Sequence, residues 1–257
     1  MSTVLFEQGE HRCVAFNDLV RGEHGVQANQ FLIMNGKHSA VLDPGGALLY
    51  NPLILEMGNF VPPHEVDYVL CSHQDPDVIG SADKWLLYTQ ATIVCSRLWG
   101  RFVPHSVPGY MQNSGPDRYH LLEDKGEWLT LGDARIRALP AHFMHSVGNF
   151  SFYDETSRIL FSGDVGASLV PTGEPYRIVT DGFTEHSRGM GGFHRRYMAS
   201  NRVVRLWVDM VRRLGPDMIV PQHGLPLRGQ AMADFLEWLE RLECGVDLLG
   251  PNDYLVD

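Results

Sequence analysis

Six residues of this chain have the types and the order that a two-metal site needs. The first three lie in Ser72-His73-Gln74-Asp75-Pro76-Asp77, directly after the apolar run Val66–Cys71. His145 follows in His-Ser-Val-Gly-Asn-Phe, Asp164 ends Ile159-Leu-Phe-Ser-Gly-Asp, and His223 ends Met218-Ile-Val-Pro-Gln-His. In an extended loop alternate side chains point the same way, so positions 73, 75 and 77 can converge, and Pro76 stiffens the turn. Taken alone, this first cluster reads more readily as a solvated polar loop. The later three change the balance. Each delivers a polar residue at the end of a buried run, and a buried charge without a partner is costly. A metal pair gives all of them one partner. Three carboxylates with three imidazoles and no thiolate form a hard, oxygen-rich donor set, which suits iron or manganese better than an all-histidine zinc site would. Donor type leaves zinc admissible.

Bulk properties narrow the classes. The chain has 257 residues, 44% of them hydrophobic and 20% charged, enough for a soluble domain with a sizeable core. A net charge of −10 argues against nucleic acid or an anionic membrane surface as the main partner. No apolar stretch reaches the length of a membrane span, and the N-terminus lacks the pattern of a secretory signal. Cys13, Cys71, Cys95 and Cys244 form no C-x-x-C pair. They read as reduced core residues of a cytoplasmic protein.

The elements that position the six residues are mostly short strands. Runs at Cys13–Leu19, Gln30–Met34, Ser39–Asp43, Val66–Cys71, Thr92–Cys95, Trp128–Leu131, Ala134–Leu139, Asn149–Tyr153, Ile159–Ser162 and Met218–Pro221 are bounded by Gly, Pro, Asn or Asp. Asn35-Gly36 marks a hairpin, and the segment 153–159 a second. Helical periodicity appears at Ser81–Tyr88 and from Ser200 or Asn201 to Leu214, where Val203, Leu206, Trp207, Met210, Val211 and Leu214 share a face. It returns from about Gln230 to Glu243, with Phe235, Leu236, Leu239 and Leu242 inward. Gly-rich Asp181–Ser200 reads as an irregular lid or surface loop in which Arg195 and Tyr197 could contact a bound ligand. The expectation is an α/β chain with two packed sheets and helices outside. His11, His38, His64, His105, His120, His186 and His194 read as surface or loop histidines.

H-x-D-x-D after a strand, then a lone His, then S-G-D, then Q-H-G resembles the metallo-β-lactamase fold, an αββα sandwich of two mixed sheets. Within it the pattern is most similar to the diiron domain of flavodiiron proteins, including stand-alone oxygen-binding members associated with bacterial chemotaxis. Gly25–Ile33, Ala40–Asp43 and the aromatic strand after His145 extend the likeness over about residues 10–230. The resemblance implies one iron on His73, Asp75 and His145 and a second on Asp77 and His223, with Asp164 and an oxo or hydroxo group bridging. It implies O2 or NO as ligand. Asp43, which ends Ala40-Val-Leu-Asp, reads as a residue that orients the ligands from behind, caps the turn, or does both.

Two departures qualify the likeness. Flavodiiron proteins carry Glu at the position of Asp75, and a further His where this chain has Val78. That leaves an open position on the second metal, or one filled by His142 or His24; His24 could also line the pocket beside the metals. There is no G-x-G-x-x-G and no phosphate-cradling loop, so the expectation is a single diiron domain over residues 1–257 without FMN or a flavodoxin domain. Electrons or readout would then come from a separate redox or signalling protein. Pairing with a second copy is the remaining candidate contact. The expected role is an oxygen sensor or an O2/NO reductase. The alternative is a metal-dependent hydrolase of the same fold, in which metal-bound water attacks an ester, lactone, thioester or phosphodiester. Asp75 and Val78, where hydrolases usually have His, count against it.

Overall fold

The computed structural model describes residues 1–20, 27–107, 118–170 and 174–256. Two sheets pack face to face. The first has seven strands in sequence order: β1 (Ser2–Gln8), β2 (His11–Phe16), β3 (Gln30–Asn35), β4 (His38–Leu42), β5 (Tyr68–Leu70), β6 (Thr92–Ser96) and β7 (Tyr119–Leu122). Its first three pairings are antiparallel and its last three parallel, so it is mixed. The second runs β13-β12-β11-β10-β9-β8. Its strands are β8 (Trp128–Leu131), β9 (Ala134–Pro140), β10 (Phe150–Asp154), β11 (Ile159–Gly163), β12 (Met218–Pro221) and β13 (Leu227–Arg228). Here only β11 and β12 are parallel.

Alternation along β2 shows how the layers form. Cys13 and Ala15 join Phe31, Ile33, Phe150, Phe152 and Phe161 between the sheets. Val14 and Phe16 point the other way, toward helices α1 (Tyr50–Met57), α2 (Pro76–Ile79) and α3 (Ala82–Tyr88), and pack with Leu53, Met57, Val78 and Trp85. The outer face of the second sheet packs Leu160 and Ile219 against α6 (Asn201–Leu214) and α7 (Gly229–Glu240) through Val204, Trp207, Val208, Val211, Phe235 and Leu239. The result is the αββα sandwich expected from the sequence. Period-two alternation sends the side chains of the central strands into the apolar layers on both faces of each sheet.

Several expectations shift. The edge strands β1, β7 and β13 were not among the expected strands, whereas the fourth edge, β8, alternates clearly and was. Each of the three buries few residues, so its pattern is weak; β1 buries only Leu5. Helix α1 was not among the helices expected. The α6 face is rotated: Val204 and Val208 are buried, whereas Leu206 is 62% exposed. Asp181–Ser200 is not irregular. It contains α4 (Phe183–His186) and α5 (Gly191–Tyr197). Asn35-Gly36 does begin a two-residue turn: Asn35 pairs with His38 and Gly36 has φ +60°. No helix among the described residues is long and apolar enough to cross a membrane.

Candidate metal centre

One end of the sandwich collects the six residues, and the topology explains why. His73 follows β5, Asp164 follows β11 and His223 follows β12, three strands whose C-terminal ends point the same way within their parallel ladders. His145 precedes β10, which runs antiparallel to β11, so its loop returns to the same end. Asp75 sits just before α2 and Asp77 in its first turn.

Two groups form around Asp164. Asp75 Oδ2 lies 2.9 Å from His145 Nε2 and 3.7 Å from His73 Nε2. Asp77 Oδ2 lies 3.2 Å from His223 Nε2. Asp164 reaches both groups: Oδ1 is 3.9 Å from His73 and 3.6 Å from His223, and Oδ2 is 3.6 Å from His145. The donor atoms of His73, Asp75 and His145 all lie within 4.8 Å of one another.

Two of the three imidazoles are held from behind, while His145 Nδ1 is buried without a partner. His73 Nδ1 is 2.9 Å from Ser72 Oγ, which donates to Asp43 Oδ2 at 2.9 Å. His223 Nδ1 donates to the Gln27 carbonyl at 2.7 Å. Both bonds put the Nδ1 hydrogen away from the centre and leave the Nε2 lone pair facing inward. Sequence reading pointed to Asp43 but not to its route through Ser72, nor to a backbone carbonyl as the second support. Gly163 has φ +59°, and a Cβ there would come within 3.2 Å of the Ser72 side chain, so glycine at 163 lets β11 close over Ser72.

Electrostatics show what the cluster lacks. His73 Nε2 and Asp164 Oδ1 are buried without any hydrogen-bond partner. Burial pulls the His223 imidazole down, but Asp77 and Asp164 outweigh it and raise its pKa to about 9. Burial likewise opposes, and Asp75 and Asp164 overcome, the rise at His145. His73, more deeply enclosed, is pulled down by burial. Proton binding is thus favoured at His145 and His223, where cations would neutralise three carboxylates. Unpartnered lone pairs aimed at one centre, with hard donors around it, fit a pair of divalent ions.

Other candidate residues fall elsewhere. His142 does not join the group: its Nε2 is 2.8 Å from the Asp124 carbonyl, and its ring packs edge-on to Phe150. His24 lies outside the described residues. Val78 is fully buried in the core beside Trp85 and offers no donor. Tyr197, half-exposed, meets the His145 ring edge-on at 5.2 Å and stacks on Phe193 at 4.8 Å, so α5 forms an aromatic cover over that imidazole. Arg195 is exposed. Two histidines read as surface residues are buried. His194 receives Gly166 N–H at Nε2 (3.0 Å) and donates from Nδ1 to Met190 O (2.9 Å), tying α5 to the loop after Asp164. His11 pairs with Asp154. Nothing in the local sequence marks either, because each partner is distant in the chain.

The profile of the family described as "ODP family beta lactamase" matches residues 26–224. The chain belongs to the ODP family. A solved structure described as a peroxy diiron species of chemotaxis sensor ODP is 39% identical to it, covering 96% of this chain and 97% of that one, with a TM-score of 0.84. The apo state of the sensor from T. denticola matches equally. Rubredoxin oxygen:oxidoreductase from Desulfovibrio gigas shares the fold at 17% identity, with a TM-score of 0.74 over 93% of this chain and 62% of that one. An uncharacterized protein of Methanocaldococcus jannaschii is 23% identical over 79% of this chain, which spans about half of that relative's length (49%). Family membership and fold therefore agree with the resemblance read from the motifs.

Proposed function

We propose that this ODP-family chain is a non-haem diiron protein that binds O2 and acts as an oxygen sensor. The observation that carries the reading is the centre itself: three carboxylates and three imidazoles converge, with His73 Nε2 and Asp164 Oδ1 buried and unpartnered. In this reading His73, Asp75 and His145 hold one iron, Asp77 and His223 the other, and Asp164 spans both. An iron pair there would supply electrons and an open coordination position for a diatomic ligand. The chain's own contribution is positional. Ser72 and the Gln27 carbonyl set the tautomers of His73 and His223. Val78, an apolar core residue, leaves the Asp77–His223 side one donor short, so that side receives the ligand. Phe193 and Tyr197 limit water at His145.

The sensor role is favoured over a reductase by the near-complete, 39% identical match to the chemotaxis sensor, against a fold-level match to the oxidoreductase. Readout then falls to a separate signalling protein. A hydrolase is disfavoured by Asp75 and Val78. The test is anaerobic loading with ferrous iron, metal analysis, then exposure to O2. Two irons per chain and a persistent visible band, without sustained O2 consumption, are expected. Rapid catalytic consumption with a generic reductant would make it a reductase. Protein that holds only zinc and ignores O2 after iron loading would sink the diiron reading.

A further inference from the structure

A second donor cluster lies at the opposite end of the sandwich. Asp154 closes β10, whose first residue follows the His145 loop, so the two ends are about 15 Å apart at the usual rise per residue. His11 opens β2, and Cys13 is its inward neighbour two positions on. His11 Nε2 is 2.8 Å from Asp154 Oδ2; Cys13 Sγ is 3.7 Å from that oxygen and 3.9 Å from His11 Nε2. The three are 3%, 0% and 0% exposed for His11, Cys13 and Asp154. Ser157 N–H also donates to Asp154 Oδ2 (2.9 Å), but Asp154 Oδ1 has no partner at all. A bare carboxylate oxygen in an apolar interior costs about 1–3 kcal/mol, so it calls for an explanation.

We propose that His11, Cys13 and Asp154 form a closed structural site for one zinc-class divalent cation, joining the two sheets. Bond lengths of about 2.0–2.3 Å to N, S and O at tetrahedral angles put the donor atoms roughly 3.3–3.6 Å apart. The observed 2.8, 3.7 and 3.9 Å bracket that range, so shifts of about half an ångström complete the triangle. A thiolate and a carboxylate with neutral His11 cancel a divalent charge, which makes the enclosed site electroneutral. The mixed N, S, O set is softer than the six-residue centre and selects a different ion. Binding releases the thiol proton of Cys13 to solvent and moves the single ring proton of neutral His11 from Nε2 to Nδ1, which faces Asn35 Oδ1 at 3.4 Å. Asp154 Oδ1 becomes available as a second carboxylate contact. Enclosure implies that the ion enters as the chain folds. The proposal does not depend on the diiron reading.

The test uses cobalt as the probe. The full chain is produced in zinc- and iron-depleted medium supplied with Co²⁺ and then analysed for metal and near-ultraviolet absorption. The six-residue centre contains no sulfur, so a thiolate-to-cobalt charge-transfer band reports the new site alone. The expected result is one cobalt per chain beyond that centre's content, with the band abolished in Cys13→Ser and retained in His73→Ala. Asp154→Asn should lose the extra equivalent as well, which guards against a folding defect in one variant. A folded, cobalt-bearing wild type without the band overturns the proposal. So does a band that survives Cys13→Ser.

Discussion

Asp43 holds Ser72 through two hydrogen bonds, from the Ser72 amide to Oδ1 at 2.8 Å and from its hydroxyl to Oδ2 at 2.9 Å. The same hydroxyl lies 2.9 Å from His73 Nδ1, so a buried carboxyl orients the imidazole of a proposed ligand through a serine. Supports of this kind are worth about 10–100-fold in metal affinity. Ser72→Ala should weaken iron binding on the His73 side by that order while the fold persists. Iron titration with a parallel thermal melt checks it. Wild-type affinity in the variant would remove the relay from the account.

The two groups around Asp164 predict different metal contents. Asp77→Ala removes a donor from the His223 side only and should leave about one metal per chain. Asp164→Ala removes the shared carboxylate and should lower both occupancies. Elemental analysis of the two purified variants separates these outcomes. Equal losses in both would mean the groups do not act as two sites.

Proton and metal compete at His223. Its pKa is raised to about 9 in the folded chain, so its pairing with Asp77 stabilises the metal-free protein below pH 6.5 and is lost as pH rises through 9. Asp43, pushed up to about 7 chiefly by burial, acts in the same direction at lower pH. Metal-free protein should therefore lose stability from pH 6.5 to 9, while metal affinity rises over the same window. Denaturant midpoints with and without iron test the opposed slopes. His223→Gln should flatten the metal-free one.

His194 has the reverse sign. Burial lowers its pKa to about 4, so it stays neutral, with Gly166 and Met190 satisfied at its two nitrogens. Its contribution is present above pH 6.5 and lost as pH falls toward 4, by roughly 3 kcal/mol at most. Acid melts of His194→Gln should lack that component. A profile identical to wild type would show that His194 is not what makes the fold acid-sensitive.

Tyr197 covers His145 but is half-exposed, so Tyr197→Ala should change stability by less than about 1 kcal/mol. With the cover open, the O2-induced absorption band of iron-loaded protein should decay faster. Stopped-flow spectra of both proteins at matched iron content measure this. An unchanged lifetime would limit α5 to a structural role.

How much was legible follows from how far each signal reaches along the chain. The six candidate residues, their strand-end positions and the four-layer architecture could all be read locally, because strand alternation and motif spacing are local properties. Strands β1, β7 and β13 were hidden because each buries a single residue and so leaves little pattern, whereas edge strand β8 alternates and was legible. The rotation of α6 that exposes Leu206 depends on which sheet residues it meets. The burial of His11 and His194 depends on Asp154, 143 positions away, and on Gly166, 28 positions away. Residue types and spacing by themselves thus determined which side chains could hold metal. Tertiary structure alone decided which orphaned atoms face one another, that His142 turns to the Asp124 carbonyl, and that a second donor cluster exists. Those outcomes rest on long-range packing, where a hydrogen bond forms only after both sheets have closed on each other.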